Sequence, residues 1–552
     1  MENDGRMMDF PLSVTHLLER GRAMFPSVEI VSRLPGKALV RHTYADTYRR
    51  SEQLARALQR LGVKRGDRVA TLCWNHQQHL ECYLAVPAMG AVVHTLNLRL
   101  HPDDLTYIAS HAGDSVVVVD RTLWPLFDKF RAGIPSLRHI LVVRDDGGAL
   151  PEGTLDYEAL LAAETAGPHS DGTEPAADSP LQLGDERHAA MICYTSGTTG
   201  KPKGVVYTHR SIVLHTLAIS MADMMGIGRG DVVLPVVPMF HASAWGLPYA
   251  AFLNGSRLVM PGPHLDPESI LDLMAEEKVT VAAGVPTIWI GILQLLDAHP
   301  GRWNLSSVRT MVIGGSAAPP SMIQGFADRH GLHVTHAWGM TEMNPLGTMA
   351  RPTPAIVARG PEAEFAAVTS QGAAAPFVEM RHVDDSGKHL PWDGKAMGEL
   401  EVRGPWVVKS YFGDEGPDRF TADGWFKTGD VVTIDADGFM RITDRSKDVI
   451  KSGGEWISSV ALENALMAHP AVLEAAVFGV AHPKWDERPV AAVVFKPGVT
   501  ATEAELTTHL AGQFQKFWLP DAYVVLTQIP RTSTGKFLKQ KLREDHAKIL
   551  SS

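Results

Sequence analysis

The segment YTSGTTGKPKG occupies residues 194–204 and decides how the rest of the chain is interpreted. Its glycines, serine and threonines supply backbone N–H groups and hydroxyls for phosphate oxygens, and Lys201 and Lys203 add positive charge. It is not a Walker A loop, because Gly200-Lys201 is followed by Pro202 and no glycine lies five residues before Gly200. The alternative is a solvated hairpin without a ligand. The composition favours a phosphate-binding loop over this alternative.

Strand-like and helix-like patterns alternate on both sides of this loop. Apolar runs at Arg68–Leu72, at residues 115–119 and at Thr310–Ile313 predict strands, whereas Leu54 and Leu58 recur at helical spacing. Apolar strands that alternate with amphipathic helices predict parallel sheets covered by helices on both faces. Two such sheets would account for the length of 552 residues. The predicted fold class is therefore α/β.

The sequence pattern changes twice in the rest of the chain. Residues 372–412 show short β segments with turns, which predict a small β-barrel or a distorted sheet. After Asp444 a helix, two strands and a further helix follow, and Thr502 with Glu505 forms a capping box for the last of these. We therefore predict a large N-terminal domain over residues 1–444 and a small α+β C-terminal domain over residues 445–552.

Composition excludes several classes of protein. The formal net charge of −10 argues against a general nucleic-acid binder. The three cysteines form no CxxC motif and indicate neither a zinc site nor a disulfide framework, which fits a reducing compartment. The most apolar stretch, residues 279–296, contains Gly284 and Pro286 and is better explained as strand, turn and helix than as a transmembrane segment. We expect a cytoplasmic enzyme, with peripheral membrane contact left open.

Six motifs, in this order along the chain, resemble those of the adenylate-forming superfamily, which contains acyl-CoA synthetases, peptide-synthetase adenylation domains and beetle luciferases. They are YTSGTTGKPKG (194–204), GGSA (314–317), WGMTE (338–342), TGD (428–430), DRSKD (444–448) and PRTSTGK (530–536). PMFHASAW (238–245) and IKSGGEWISS (450–459) narrow the resemblance to bacterial medium- and long-chain fatty acyl-CoA synthetases. That group implies a homodimer and a C-terminal domain that rotates about Lys447.

The resemblance implies roles for individual residues. Thr195 and Glu342 are the implied Mg²⁺ ligands, since Mg²⁺ prefers oxygen. Trp338 stands where the family usually has tyrosine, so the aromatic face is retained and the phenol is lost. The implied nucleotide-binding residues are Thr195, Ser196, Gly197, Thr198, Thr199, Gly200, Lys201, Gly315, Ser316, His336, Ala337, Trp338, Gly339, Thr341, Asp430, Arg445, Lys447 and Trp456.

The implied catalytic residues are Lys536, His241, Thr341 and Glu342. Lys536 would stabilise negative charge that moves between the carboxylate, the α-phosphate and pyrophosphate. The residues implied to contact the acyl group or CoA are Trp245, Gly315, Lys451, Ser452, Gly453 and Gly454.

The implied activity is that of an AMP-forming fatty acid–CoA ligase, with ATP and CoA as substrates. The nearest alternative is the same reaction on a short or sulfur-containing acid such as 3-methylmercaptopropionate. A more distant alternative is an adenylation enzyme that loads a carrier protein.

Overall fold

The computed structural model describes residues 6–164, 179–182, 184–195, 201–316, 318–453, 455–531 and 537–550. The helices are α1 (Val14–Met24), α2 (Tyr44–Arg60), α3 (Gln77–Ala88), α4 (Pro102–Ala112), α5 (Trp124–Phe127), α6 (Tyr157–Ala162), α7 (His209–Ser220), α8 (Leu247–Asn254), α9 (Pro267–Glu276), α10 (Pro286–Ala298), α11 (Pro320–His330), α12 (Pro354–Val357), α13 (Pro361–Val368), α14 (Ser459–Ala468), α15 (Glu503–Ala511) and α16 (Lys539–Asp545).

The strands are β1 (Glu29–Arg33), β2 (Leu39–Thr43), β3 (Arg68–Leu72), β4 (Val92–Thr95), β5 (Asp114–Asp120), β6 (His139–Val143), β7 (Leu155–Asp156), β8 (Ala189–Tyr194), β9 (Gly204–Thr208), β10 (Val232–Pro235), β11 (Arg257–Met260), β12 (Val281–Gly284), β13 (Thr310–Ile313), β14 (Val334–Gly339), β15 (Leu346–Met349), β16 (Ala373–Ala374), β17 (Glu379–Val383), β18 (Gly398–Arg403), β19 (Phe426–Ile434), β20 (Met440–Arg445), β21 (Ile450–Ser452), β22 (Glu455–Ile457), β23 (Val472–His482), β24 (Asp486–Phe495) and β25 (Ala522–Val525).

Two large sheets confirm the predicted α/β fold class. The seven-stranded sheet has the order β7-β6-β5-β3-β4-β8-β9, and every pair is parallel except β8 with β9. The nine-stranded sheet has the order β16-β15-β14-β13-β12-β10-β11-β1-β2 and is parallel from β14 to β1. One core cluster contains buried residues of both sheets, for example Val93 and Val233.

The apolar stretch at residues 279–296 folds as predicted into a strand, a turn and a helix. It forms β12 and then α10, and Pro286 occupies the first position of the helix, where a missing N–H costs nothing. Trp289 of this helix is fully buried and donates its indole N–H to the Val312 carbonyl at 3.2 Å. Within the described parts of the chain, no helix is both long and apolar enough to cross a membrane.

A third sheet, antiparallel in the order β17-β18-β19-β20, forms where the sequence predicted a small barrel or distorted sheet. Register shifts between Glu399 and Glu401 and between Val431 and Val432 distort its pairing. It extends to Arg445, beyond the end of the predicted β region at residue 412.

The smaller C-terminal α+β region is built on the sheet β22-β21-β24-β23, with β25 paired in parallel to β24. Its strands β23 and β24 are longer than the apolar runs at residues 475–480 and 490–495 suggested. The predicted capping box is confirmed: Thr502 and Glu505 each accept a backbone N–H from the other at the start of α15. This region has its own two core clusters.

Candidate active site

One cavity of about 1030 Å³ lies at the carboxyl ends of β12, β13 and β14, the edge of an open parallel sheet where ligands bind. The antiparallel sheet and the C-terminal region complete its wall. The cavity is lined by most of the described residues that the sequence predicted for the site: Thr195, Lys201, His241, Trp245, Gly315, Ser316, His336, Ala337, Trp338, Gly339, Thr341, Glu342, Asp430, Arg445 and Lys447.

The described residues of the predicted CoA-facing hairpin β21–β22 do not line this cavity. Lys451, Ser452, Gly453 and Trp456 are absent from its described lining. Lys451 and Trp456 are cross-strand partners, with the ammonium 5.4 Å from the indole ring. The predicted residues outside the described parts of the chain are Ser196, Gly197, Thr198, Thr199, Gly200, Gly454 and Lys536.

The predicted phosphate-binding segment connects β8 to the antiparallel β9, and its base is closed by hydrogen bonds. The Thr195 N–H donates to the Lys203 carbonyl at 2.9 Å, and the Lys203 N–H donates to the Thr195 hydroxyl at 3.1 Å. The ammonium of Lys203 lies 5.4 Å from the centre of the Tyr411 ring. This base holds the Thr195 hydroxyl and two lysines, Lys201 and Lys203, at the cavity wall.

Glu342 is held by a segment that the sequence analysis missed, the loop after β18. The Tyr411 hydroxyl donates to Glu342 Oε1 at 2.6 Å, and the Val408 N–H donates to the Glu342 carbonyl at 2.8 Å. Burial, with a further contribution from Glu342, raises the pKa of Tyr411, so this phenol stays protonated and remains a donor. One carboxylate oxygen is therefore fixed, and the other is left for a ligand.

Asp430 and Arg445, both predicted to contact the nucleotide, are paired across strands β19 and β20. Arg445 Nε lies 2.7 Å from Asp430 Oδ1, and the two residues are direct register partners. The indole N–H of Trp338 donates to the other carboxylate oxygen at 2.9 Å. The tryptophan that replaces the usual tyrosine therefore provides a polar contact of its own.

The two predicted histidines differ in environment. His336 in β14 is buried, and this burial lowers its pKa to about 4, so the imidazole is neutral at physiological pH. His241 is half-buried at the cavity wall, and its backbone N–H donates to the Pro238 carbonyl at 3.1 Å. A neutral His336 suits an uncharged nucleobase better than a phosphate.

The segment after His241 adopts an unusual backbone conformation. Ala242, Ser243, Ala244 and Trp245 have φ values between 43° and 57°, and Gly246 follows at 77°. Left-handed residues with side chains are strained, and strain of this kind clusters at functional sites. The turn places the Trp245 ring against Gly314, where an added Cβ would lie 3.0 Å from the indole. Nothing in the sequence signals this turn.

The C-terminal region presents to the cavity one residue of the PRTSTGK motif, Arg531, and the residue that follows the motif, Phe537. Arg531 and Phe537 form an isolated antiparallel β-bridge, and both line the cavity. Arg531 forms an ion pair with Glu474 at 2.5 Å, and its guanidinium carbon lies 4.7 Å from the centre of the Phe537 ring. The described residues that flank the undescribed part of this motif therefore lie beside the cavity.

A buried ion cluster next to the predicted hinge was not predicted from the sequence. The ammonium of Lys539 lies 2.7 Å from Glu463 Oε1 and donates to the Ser459 hydroxyl at 2.6 Å. Asp444 accepts the Ser459 N–H at 2.6 Å. Asp444, Glu463 and Lys539 are all less than a tenth exposed. One buried ammonium thus pairs with Glu463, and its charge also acts on nearby Asp444.

Glu463 should make stability depend on pH. Burial, opposed by Lys539, raises its pKa from 4.5 to about 7. Between these values the folded state binds more protons than the unfolded state, so stability falls as the pH rises through this window. Glu463→Gln keeps an oxygen for both Lys539 and the Val477 N–H, which donates to it at 2.7 Å. Across this pH window the free energy of unfolding of the variant should therefore fall by up to about 3 kcal/mol less than that of the wild type, at about 1.36 kcal/mol per pKa unit.

Urea unfolding at pH 5, 6, 7 and 8 measures this difference. Glu503→Gln in α15 is the control, because Glu503 is exposed. The same chemical change there should leave the free energy of unfolding with the same dependence on pH as in the wild type. Equal slopes for the wild type and Glu463→Gln would contradict the assigned pKa.

Cys73, His76 and Asp120 also come together, with one potential ligand atom from each within 4.8 Å. His76 Nδ1 accepts the His79 N–H at 3.4 Å, so Nε2 carries the proton and donates to Asp120 at 2.8 Å. Burial raises the pKa of the Cys73 thiol and disfavours the thiolate that a metal needs. The hydrogen bonds already satisfy this cluster, and they favour a structural role.

Thr195 and Glu342 are suited to Mg²⁺. Both supply oxygen, the donor that Mg²⁺ prefers, and both line the same cavity. The contact from Tyr411 occupies one oxygen of Glu342 and leaves the carboxylate suited to bind a metal through a single oxygen.

Comparison with known proteins identifies the family of this chain. The family model described as AMP-binding enzyme matches residues 19–412, and the model described as AMP-binding enzyme C-terminal domain matches residues 461–536. A long-chain-fatty-acid–CoA ligase of Thermus thermophilus is 47% identical over 98% of this chain and 96% of its own. A 3-methylmercaptopropionyl-CoA ligase of Ruegeria pomeroyi is 44% identical over 99% of both chains.

A solved structure of an anthranilate CoA ligase in complex with anthranoyl-AMP superposes with a TM-score of 0.84, at 25% identity and with 99% of each chain covered. The family models together span most of the chain, and the relatives cover nearly all of it. The chain belongs to the AMP-binding enzyme family.

Proposed function

We propose that this protein is an AMP-forming fatty acid–CoA ligase. In the first half-reaction the carboxylate attacks the α-phosphate of ATP, which gives an acyl adenylate and pyrophosphate. In the second, the thiol of CoA attacks the acyl carbon, the bond to AMP breaks and the thioester forms. Carboxylates are poor electrophiles, and adenylation supplies the leaving group that the second step needs.

The observation that carries this proposal is the convergence of distant motifs on one cavity. Thr195, Glu342 and Asp430 come from three different motifs and line the same space. Met225, Trp245 and Ile290 add apolar surface to that space, which suits an acyl chain. A nucleotide and an apolar acid can therefore meet there.

The proposed roles follow the chemistry of each side chain. Asp430 accepts hydrogen bonds from the ribose hydroxyls, and Arg445 balances its charge at 2.7 Å. Thr195 and Glu342 would hold Mg²⁺, which supplies charge neutralisation to the ATP phosphates when bound. Lys536 stabilises the charge that shifts during adenylation. His241 and Thr341 line the wall on which the acid and the phosphates would approach each other.

We assign these steps to two domains, residues 1–444 and 445–552, which move about Lys447. Arg531 and Phe537, which flank the segment that contains Lys536, line the cavity, whereas Lys451 and Trp456 do not. The arrangement therefore suits adenylation, and a rotation is needed to bring Lys451, Ser452, Gly453 and Gly454 to the thiol. A few backbone torsions at an element junction suffice for such a motion.

The similarity to a 3-methylmercaptopropionyl-CoA ligase, at 44% identity, supports a second candidate substrate. This is a short sulfur-containing acid, for which the proposed chemistry is identical. Loading of a carrier protein remains the third candidate.

The substrate is identified by incubating the purified protein with ATP, Mg²⁺, CoA and acids of three to eighteen carbons, together with 3-methylmercaptopropionate. Pyrophosphate, AMP and acyl-CoA are measured separately. We expect thioester formation with medium- or long-chain acids. Activity confined to 3-methylmercaptopropionate would favour the second candidate. Acyl adenylate that forms without any thioester would favour a carrier-loading enzyme, and the absence of pyrophosphate release with every acid would refute the proposal.

We further propose a cytoplasmic homodimer. Light scattering coupled to size exclusion tests the assembly directly, since a dimer of 60.0 kDa chains should elute at about twice that mass. A monomer at micromolar concentration would refute this assignment.

A further inference from the structure

Trp338 connects two of the sheets that surround the cavity. It lies in β14 of the nine-stranded sheet, and its indole N–H donates to Asp430 Oδ2 in β19 of the antiparallel sheet at 2.9 Å. Trp338 is 6% exposed and Asp430 is 1% exposed. A hydrogen bond to a buried carboxylate is charge-assisted and among the stronger contacts of a protein. The bond therefore fixes the position of Asp430 relative to β14.

Two further contacts hold Asp430. Arg445 Nε lies 2.7 Å from the carboxylate oxygen Oδ1, and the backbone N–H of Asp430 donates to the Thr428 hydroxyl at 3.1 Å. An ionised carboxylate offers about four acceptor positions. The Trp338 N–H occupies one of these, whereas Oδ1, which forms the ion pair with Arg445, accepts no hydrogen bond from the described residues, so acceptor positions remain for the hydroxyls of a ribose.

The indole itself has little freedom to turn. A Cβ added at Gly347 would lie 2.4 Å from Trp338 Cζ3, so this glycine allows the neighbouring strand to pack closely on the ring. Trp338 also pairs with Thr348 in the register of β14 and β15. The ring orientation is thus set by backbone packing, before any nucleotide binds.

We propose that Trp338 is a positioning residue, which uses its indole N–H to hold Asp430 ready for the ribose hydroxyls of ATP. This inference rests on the proposed use of ATP. It goes beyond the contact of an aromatic face with adenine, because a phenylalanine would retain that face and lose the donor. It also explains how this chain tolerates the loss of the phenol: the polar function has moved to the indole.

The test is Trp338→Phe, assayed with ATP, 2′-deoxy-ATP and 3′-deoxy-ATP. Binding of each nucleotide is measured by calorimetry, and pyrophosphate release is measured in parallel. We expect the preference of the wild type for ATP over the deoxynucleotides to fall by about tenfold in the variant, since a hydrogen bond to a charged group contributes at least that much. Gly347→Ala, which displaces the ring and keeps the N–H, should reduce the preference in the same direction.

Trp406→Phe is the matched control. Its indole N–H donates to the Leu346 carbonyl at 2.9 Å, it is also buried, and it does not contact Asp430. This variant also loses a buried indole hydrogen bond, here to an uncharged carbonyl, and it should keep the wild-type preference among the three nucleotides. Equal weakening of all three nucleotides by Trp338→Phe would overturn the inference and leave only a stacking role. An unchanged preference, or the same change in Trp406→Phe, would also overturn it.

The calorimetric measurement separates this inference from the proposed function. If no acid supports pyrophosphate release, the ligase proposal fails while the nucleotide preference still tests Trp338. If the wild type itself does not prefer ATP to the deoxynucleotides, Asp430 does not bind the ribose and the inference fails, whatever acid is activated.

Discussion

Lys536→Ala should abolish formation of the acyl adenylate and leave thioester formation from supplied acyl-AMP largely intact. Removal of one group that stabilises developing charge typically costs about 10²- to 10³-fold in rate. Arg531 and Phe537, the described residues on either side of the segment that contains Lys536, both line the cavity, which supports its role in the first half-reaction. Pyrophosphate release and acyl-CoA formation from synthetic acyl-AMP are measured in separate assays.

Lys541→Ala provides the comparison for this experiment. Lys541 is half-exposed on α16 and pairs with Asp545 at 3.1 Å, so its loss removes one C-terminal ammonium away from the cavity. It should leave both half-reactions near the wild-type rate. If Lys536→Ala slows both half-reactions equally, the assigned role of Lys536 is wrong.

Lys447→Pro should have the opposite effect, with adenylate formation retained and thioester formation lost. The backbone turns sharply here: the N–H groups of Asp448 and Val449 both donate to the Arg445 carbonyl at 2.8 Å. Proline fixes φ at this position and restricts the preceding residue Ser446. A rotation that needs these torsions is then blocked, and we expect at least about a hundredfold loss in the second half-reaction, comparable to the loss of a major catalytic group.

Lys447→Ala separates the charge of the side chain from the torsion of the backbone. It removes the ammonium and leaves φ free, so it should form thioester much faster than Lys447→Pro does. Wild-type thioester formation by Lys447→Pro would show that the chain pivots elsewhere. Equal loss in the proline and alanine variants would assign the effect to the ammonium.

The sequence predicted the architecture because the fold depends on local periodicity. Apolar runs rich in valine, such as residues 115–119, favour strands buried on both faces, and this run lies in β5. The capping box at Thr502 is likewise a local signal, and the structure contains both of its hydrogen bonds. The exact ends of the strands were less predictable. β23 and β24 pair with each other beyond the apolar residues at their centres, so both strands are longer than their apolar runs.

The site was predictable where a residue belongs to a motif, and unpredictable where its partner is distant. Glu342 and Asp430 were found because their neighbours in sequence identify them. Tyr411 and Trp338 contact these two carboxylates across 69 and 92 residues, and no pattern in one sequence joins such pairs. The ion cluster around Lys539 spans 80 residues to Ser459 and was missed for the same reason.

The left-handed turn after His241 was hidden for a different reason. Sequence signals for left-handed backbone rest on glycine and asparagine, and here two alanines, a serine and a tryptophan adopt it. Only the surrounding packing imposes this conformation, because Ala242, Ser243, Ala244 and Trp245 are all buried.

The separate cores described for the two parts of the chain have a thermodynamic consequence. One cluster joins residues of both parallel sheets and of the antiparallel sheet, whereas the clusters around Ile450 and Phe478 contain only residues after 449. Heat or denaturant can therefore melt the C-terminal core while the larger one persists. A single melting temperature is then not a well-defined property of this molecule, and calorimetric enthalpies should be assigned to two cooperative units.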